Sequence, residues 1–126
     1  DRSLRVGRNA AGNHRLVFRA SRGRDWWLHL RDAPSAHVVV PSADGAPPDP
    51  ATLAAAVEAL LLTARVPEGV QVDVRLARVA DLRPVPGGHP GEVQITRERV
   101  IVGRRDPSAL HGWIRADVVP RGPRGG

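Results

Sequence analysis

The sequence predicts an α+β domain, with a mainly antiparallel sheet of about seven strands and one main helix packed on one face. Three observations carry that reading. Short runs that alternate apolar and polar residues recur between clusters of Gly, Pro, Asn and Asp. One longer segment, residues 50–65, repeats its apolar residues at helical spacing. Residues 37–40, HVVV, are almost wholly apolar, as a central strand is.

Residues 4–9, LRVGRN, read as a first strand and residues 15–20, RLVFRA, as a second. A turn at Ala11-Gly12-Asn13 joins them as a hairpin. Leu16 and Phe18 then share one face, and Arg15, Val17 and Arg19 the other. Residues 25–31, DWWLHLR, alternate more clearly, with Trp26, Leu28 and Leu30 inward and Trp27, His29 and Arg31 outward. Asp32-Ala33-Pro34-Ser35 turns the chain into the strand from His37 to Val40.

After a Pro-, Ala- and Gly-rich loop, Asp49 is the N-cap of the helix and Pro50 its first residue. Leu53, Val57, Leu60, Leu61 and Ala64 form its apolar stripe, and Val66-Pro67-Glu68-Gly69 ends it. Val70 to Arg78 is a strand, with Val72, Val74 and Leu76 inward and Asp73, Arg75 and Ala77 outward. Residues 83–91, RPVPGGHPG, form a stiff loop. Glu92–Ile95 and Arg99–Val102 are expected to pair as a second hairpin around Thr96-Arg97-Glu98. Past Gly103 the pattern fades, and the closing RGPRGG is expected to be disordered. The domain is placed at residues 1–103, with 104–126 as a partly disordered extension. The sheet face away from the helix is expected to be open.

Apolar residues make up 41% of the chain, enough for one modest core and against a disordered polymer. The net charge is +6, and all 19 basic residues are arginine. A GC-rich genome accounts for much of the missing lysine but not for the positive balance. That balance favours a polyanionic partner, with nucleic acid ahead of membrane. With no cysteine, disulfides, thiol catalysis and Cys-based zinc sites are excluded. No apolar run reaches transmembrane length and the N-terminus carries no signal-peptide pattern. The absence of any methionine points to a processed chain or a domain cut from a longer protein.

The outward set Trp27, His29 and Arg31 is the main site candidate. An exposed aromatic residue on a sheet stacks unpaired bases while arginines hold phosphates. The alternative is that Trp27 packs beneath another segment. His29 and His37 fall on neighbouring strands near Asp25 and Asp32, which would permit a metal site or an acid–base pair; either histidine can equally bond a backbone group. Arg97, Arg99, Arg104 and Arg105 gather around the last hairpin, either as a solvated face or as an extension of a basic patch. GGHPG lacks the order and the Lys-Ser/Thr of a phosphate-binding loop, so no nucleotide role is assigned to it.

The order of these motifs resembles the RNA-binding domain of the NFACT family, which comprises ribosome-associated quality-control factors also known as fibronectin-binding-like proteins. Gly7, Arg8, Asn9, Ala10 and Asn13 match its first segment. Asp25, Trp26, Trp27, His29, Arg31 and Asp32 match the second. Pro34, His37, Val38 and Val39 match the third, and Pro90, Gly91 and Val93 the last. The likeness runs over about residues 4–103. Three departures stand out. A glycine is missing from Pro34-Ser35-Ala36-His37, only Arg83 and His89 remain of a basic loop, and Val74 stands where an aromatic residue is usual. The resemblance implies a non-catalytic, cytoplasmic domain that binds tRNA or ribosomal RNA on stalled large ribosomal subunits. It implies no cofactor, no metal and no membrane.

Read together, the residues and the resemblance assign RNA contacts to Arg8, Asn9, Asn13, Trp27, His29, Arg31, Arg83, His89, Arg97 and Arg99. Asn9 and Asn13 could instead stabilise the first turn, and His37 is expected to be structural. Two other classes stay open: a protein-interaction module of a larger assembly, and a metal-dependent hydrolase using His29, His37 and Asp32.

Overall fold

A computed structural model describes residues 3–118. The chain opens with β1 (Ser3–Gly7) and then turns directly into a helix, α1 (Ala10–Phe18). Asn9 caps it, its side-chain oxygen accepting from the Gly12 amide at 2.7 Å. The expected first hairpin is therefore absent, and residues 15–20 are not a strand. The stripe Asn13, Leu16 and Val17 is buried at i, i+3, i+4 spacing, which the shorter alternation of Leu16 and Phe18 had disguised.

Next come β2 (Trp26–Leu30) and β3 (His37–Val40), then α2 (Pro50–Thr63). Asp49 caps α2 through the Thr52 amide at 2.8 Å, with Pro50 at its start, as expected. The strands β4 (Val72–Arg78), β5 (Leu82–Pro84), β6 (Val93–Ile95), β7 (Arg99–Gly103) and β8 (Ile114–Val118) complete the described chain. Six of the eight described strands form one sheet in the order β7-β4-β2-β3-β1-β8. It is antiparallel except for the parallel pair of β1 with β8. The fold is thus α+β with a mainly antiparallel sheet.

The second expected hairpin is also absent. β6 pairs with β5 in a small separate sheet, and β7 pairs with β4 at the edge of the main one. The polar, charged run Thr96-Arg97-Glu98 marks a reversal but does not say which strand each arm joins. Beyond Gly103, Pro107–Leu110 forms a 3-10 turn and β8 returns to β1. The RGPRGG end lies outside the described residues.

Both faces of the sheet are covered, each over part of its area. Leu4, Val6, Trp26, Leu28, Val38 and Val74 pack against Ala56, Leu60 and Leu61 of α2. On the opposite face, Trp27, Val39 and Ala77 pack against Leu16 and Val17 of α1 and against Leu82. The main helix, α2, packs on one face as expected; the open far face is the part of the expectation that the structure corrects, since α1 covers part of it. Two close approaches seat α1. A Cβ on Gly7 would lie 2.6 Å from Asn13 Oδ1 and 2.9 Å from Asn13 Cα. Only a residue with no side chain lets the helix backbone sit this low on β1.

Buried polar groups join the layers. Asp25 accepts from the Arg22 amide at 2.8 Å and from the Ser42 amide at 2.9 Å, so it clamps two loops at the start of β2. Glu58 on α2 is 1% exposed and accepts from Arg105 Nε at 2.8 Å and from the Asp106 amide at 2.6 Å. Arg105 is therefore part of the core's boundary rather than of a basic surface patch.

Candidate nucleic-acid interface

A cleft of about 650 Å3 opens where α1, the sheet and the Pro90-Gly91 loop meet. Its walls are built mainly from four short segments. Arg8, Asn9 and Ala10 lie at the start of α1, Trp27 and His29 on β2, Pro34 to His37 at the start of β3, and Pro90 to Val93 on the loop into β6. Asn13, Arg75 and, at the end of α2, Thr63 and Ala64 complete it.

Local chemistry explains how the segments converge. Pairing of β1 with β3 sets Gly7 beside His37. Asn13, held over Gly7 by the helix, accepts from the His37 amide through Oδ1 at 3.1 Å. Gly91 has φ of +89° and approaches the helix so closely that a Cβ would lie 2.9 Å from the Ala10 carbonyl oxygen. That left-handed backbone and that contact both favour glycine.

The floor is aromatic. Trp27 is 0% exposed, sealed by α1. The expectation that it projects into solvent and stacks a base is therefore overturned: a period-two pattern names the face a residue points to, and that face is covered here. Trp27 instead donates from Nε1 to His37 Nδ1 at 3.1 Å. His29 stacks on Trp27 with centroids 5.5 Å apart and planes 5° from parallel. His29 and His37 meet edge to face at 4.8 Å.

Burial, and then the neighbouring His29, push the His37 pKa down to about 3. Burial also lowers that of His29; a hydrogen bond to the Leu30 carbonyl opposes the shift and the Arg75 charge adds to it. Both rings are held toward the neutral form.

Arg75 stands beside His29 in the pairing of β2 with β4. Its Nε lies 3.1 Å from Glu98 Oε1, an ionic contact that is off line for a hydrogen bond. From sequence Arg75 is only an outward residue of its strand. Its position opposite His29 is the signal that assigns it to the site, and that required knowing the strand pairing.

The structure brings together five of the ten residues assigned to RNA: Arg8, Asn9, Asn13, Trp27 and His29. Asn9 and Asn13 have the structural roles of helix cap and strand anchor. The other five lie apart from the cleft's lining. Arg31 pairs with Asp73 at 3.4 Å further along the sheet. Arg83 on β5 donates to the carbonyls of Ala80 and Leu82. His89 precedes the cleft loop, its amide donating to Glu92 Oε1 at 2.6 Å. Arg97 and Arg99 border a different depression with Arg78 and Trp26. His37, expected to be structural, is both a strand residue and part of the cleft wall. His29 and His37 do come together, but the described residues hold no group of three or more His, Cys, Asp or Glu that could bind a metal ion. Among the described residues no helix is long and apolar enough to cross a membrane.

No model of a known protein family matches the chain. Its sequence is similar to the Rqc2 homolog RqcH of Streptococcus pneumoniae, at 36% identity over 97 residues, and to that of Bacillus subtilis, at 26% over 99 residues. These matches cover 76% and 79% of this chain. The chain spans about 17% of the length of either relative. The fold is shared with the C-terminal part of the fibronectin/fibrinogen-binding protein from Streptococcus suis, with a TM-score of 0.72 and 24% identity. That match covers 86% of this chain and 43% of the other. These likenesses support a relationship to the NFACT family.

Proposed function

Proceeding from that relationship, we propose that the chain is a non-catalytic RNA-binding domain of the NFACT type, acting on tRNA or ribosomal RNA in cytoplasmic quality control of stalled large ribosomal subunits. The observation that carries this reading is the convergence of all four motif segments on one cleft whose walls include Arg8 and Arg75. The names of the RqcH relatives support the ribosomal setting. The net charge of +6 supports a polyanionic partner. With Trp27 beneath α1, the accessible ring of the site is the half-buried His29, and the guanidinium groups supply phosphate contacts around it.

The test is a titration of labelled tRNA with the chain over a series of salt concentrations. Log affinity falls linearly with log salt when arginines displace counterions. Arg8→Gln and Arg75→Gln are each expected to weaken binding and to reduce the slope by about 1. A flat salt response, or slopes unchanged in both variants, overturns the reading.

One observation favours a second reading as a protein-interaction module. Val100 and Val102 on the edge strand β7 are exposed, on the same sheet face as Arg75. Capture of a partner that survives nuclease treatment and is lost in Val102→Asp would support it.

A further inference from the structure

The two cleft histidines have fixed and opposite hydrogen-bonding sense. An indole N–H can only donate, so His37 Nδ1, which receives the Trp27 proton at 3.1 Å, bears a lone pair. The neutral ring then carries its own proton on Nε2. At His29 the arrangement is reversed. Nδ1 lies 2.5 Å from the Leu30 carbonyl oxygen, which can only accept. Nδ1 therefore holds the proton, and Nε2 is a bare acceptor. Burial keeps both rings toward the neutral form that this assignment requires.

Neither Nε2 has a partner among the described residues. Both rings line the cleft. Trp27 contacts each of them at 5.5 Å between centroids, so the three rings hold one another in place. The site thus presents one donor and one acceptor, side by side on rings 4.8 Å apart, with nothing from the described chain filling them.

A phosphate oxygen offers only acceptors and leaves the His29 nitrogen unsatisfied. Nucleobase edges place donors and acceptors on separate atoms. A hydroxyl group does both at one oxygen, and rings this close can share one oxygen. In a nucleic acid that group is the ribose 2′-hydroxyl, which DNA lacks. We propose that His29 and His37 together bind one ribose 2′-hydroxyl, the first accepting its proton and the second donating to its oxygen, so that the cleft distinguishes RNA from DNA. Arg8 and Arg75 on the walls take the adjoining phosphates. This rests on the RNA-binding reading and adds to it the group that is recognised.

The experiment compares three single-stranded oligonucleotides of one sequence, as RNA, as DNA and as 2′-O-methyl RNA, each titrated with the full chain at one salt concentration. Two hydrogen bonds, each of ordinary net strength, correspond to about tenfold tighter binding of RNA than of DNA. The 2′-O-methyl strand, which cannot donate to His29, is expected to fall toward the DNA value. His29→Phe keeps the stack on Trp27 but removes the acceptor, and is expected to lower the RNA-to-DNA ratio to about threefold, the His37 donor remaining. Equal binding of RNA and DNA by the wild-type chain, or a ratio unchanged in His29→Phe, overturns the inference and leaves RNA binding standing. Failure to bind any of the three strands overturns both.

Discussion

Acidification from about pH 7 to about pH 5 is expected to destabilise the fold through His37. Its ring is 4% exposed, and burial together with His29 lowers its pKa from 6.5 to about 3. Between those two values the unfolded chain binds a proton that the folded chain excludes. Stability is therefore full above the unfolded value, falls as the pH drops through it, and levels off below about 3. Each pH unit inside the window is worth about 1.4 kcal/mol. At about pH 5 the loss is about 2 kcal/mol, and it stays so for any folded value below about 4, because the unfolded value sets where the loss begins. His29, shifted in the same direction, adds to it. The assay is urea unfolding followed by tryptophan fluorescence across this range, on the wild type and on His37→Asn. Asn keeps an acceptor for the Trp27 N–H but does not titrate. The variant is expected to lose less stability than the wild type on acidification, by about 2 kcal/mol. Parallel pH dependences in the two proteins would refute the claim that His37 is held neutral by burial.

Three further outcomes are expected. Trp27→Ala should cost about 3–5 kcal/mol of stability, because a fully buried indole is removed. It should also weaken single-stranded and duplex RNA alike; a loss confined to single strands, in a protein of unchanged stability, would restore a stacking role. Glu58→Ala should cost about 3 kcal/mol in urea unfolding, since Arg105 and the Asp106 amide lose their shared buried acceptor. A change below about 1 kcal/mol would show the pair to be solvated. Gly7→Ala should cost about 1–3 kcal/mol, because the new methyl group meets the Asn13 backbone at 2.9 Å. Hydrogen exchange of the α1 amides should quicken with it, and unaltered protection would mean that the helix is seated by other contacts.

Some of this was legible from residue order alone. Asp49-Pro50 and the stripe through Leu60 and Leu61 determine α2 and the face it buries, since cap chemistry and helical periodicity are local properties of the chain. The alternation of Trp26, Leu28 and Leu30 determines which side of β2 meets that helix. The motif residues Gly7, Asn13, His29, His37 and Gly91 were legible as a set, though their shared location was not.

Tertiary structure decided the remainder. Alternation fixes the side of a sheet that Trp27 occupies, but not whether that side is covered; α1 covers it, and a helix of nine residues is too short for its periodicity to outweigh an apparent strand. The seat for α1 depends on Gly7 and Gly91, which lack side chains and so leave no periodic signal. Arg75 enters the site because β4 pairs with β2 in one register, while Arg105 leaves the surface because Glu58 on a distant helix needs a counter-charge. Such outcomes depend on long-range pairing and burial, where each residue's environment is set by partners far away in the chain.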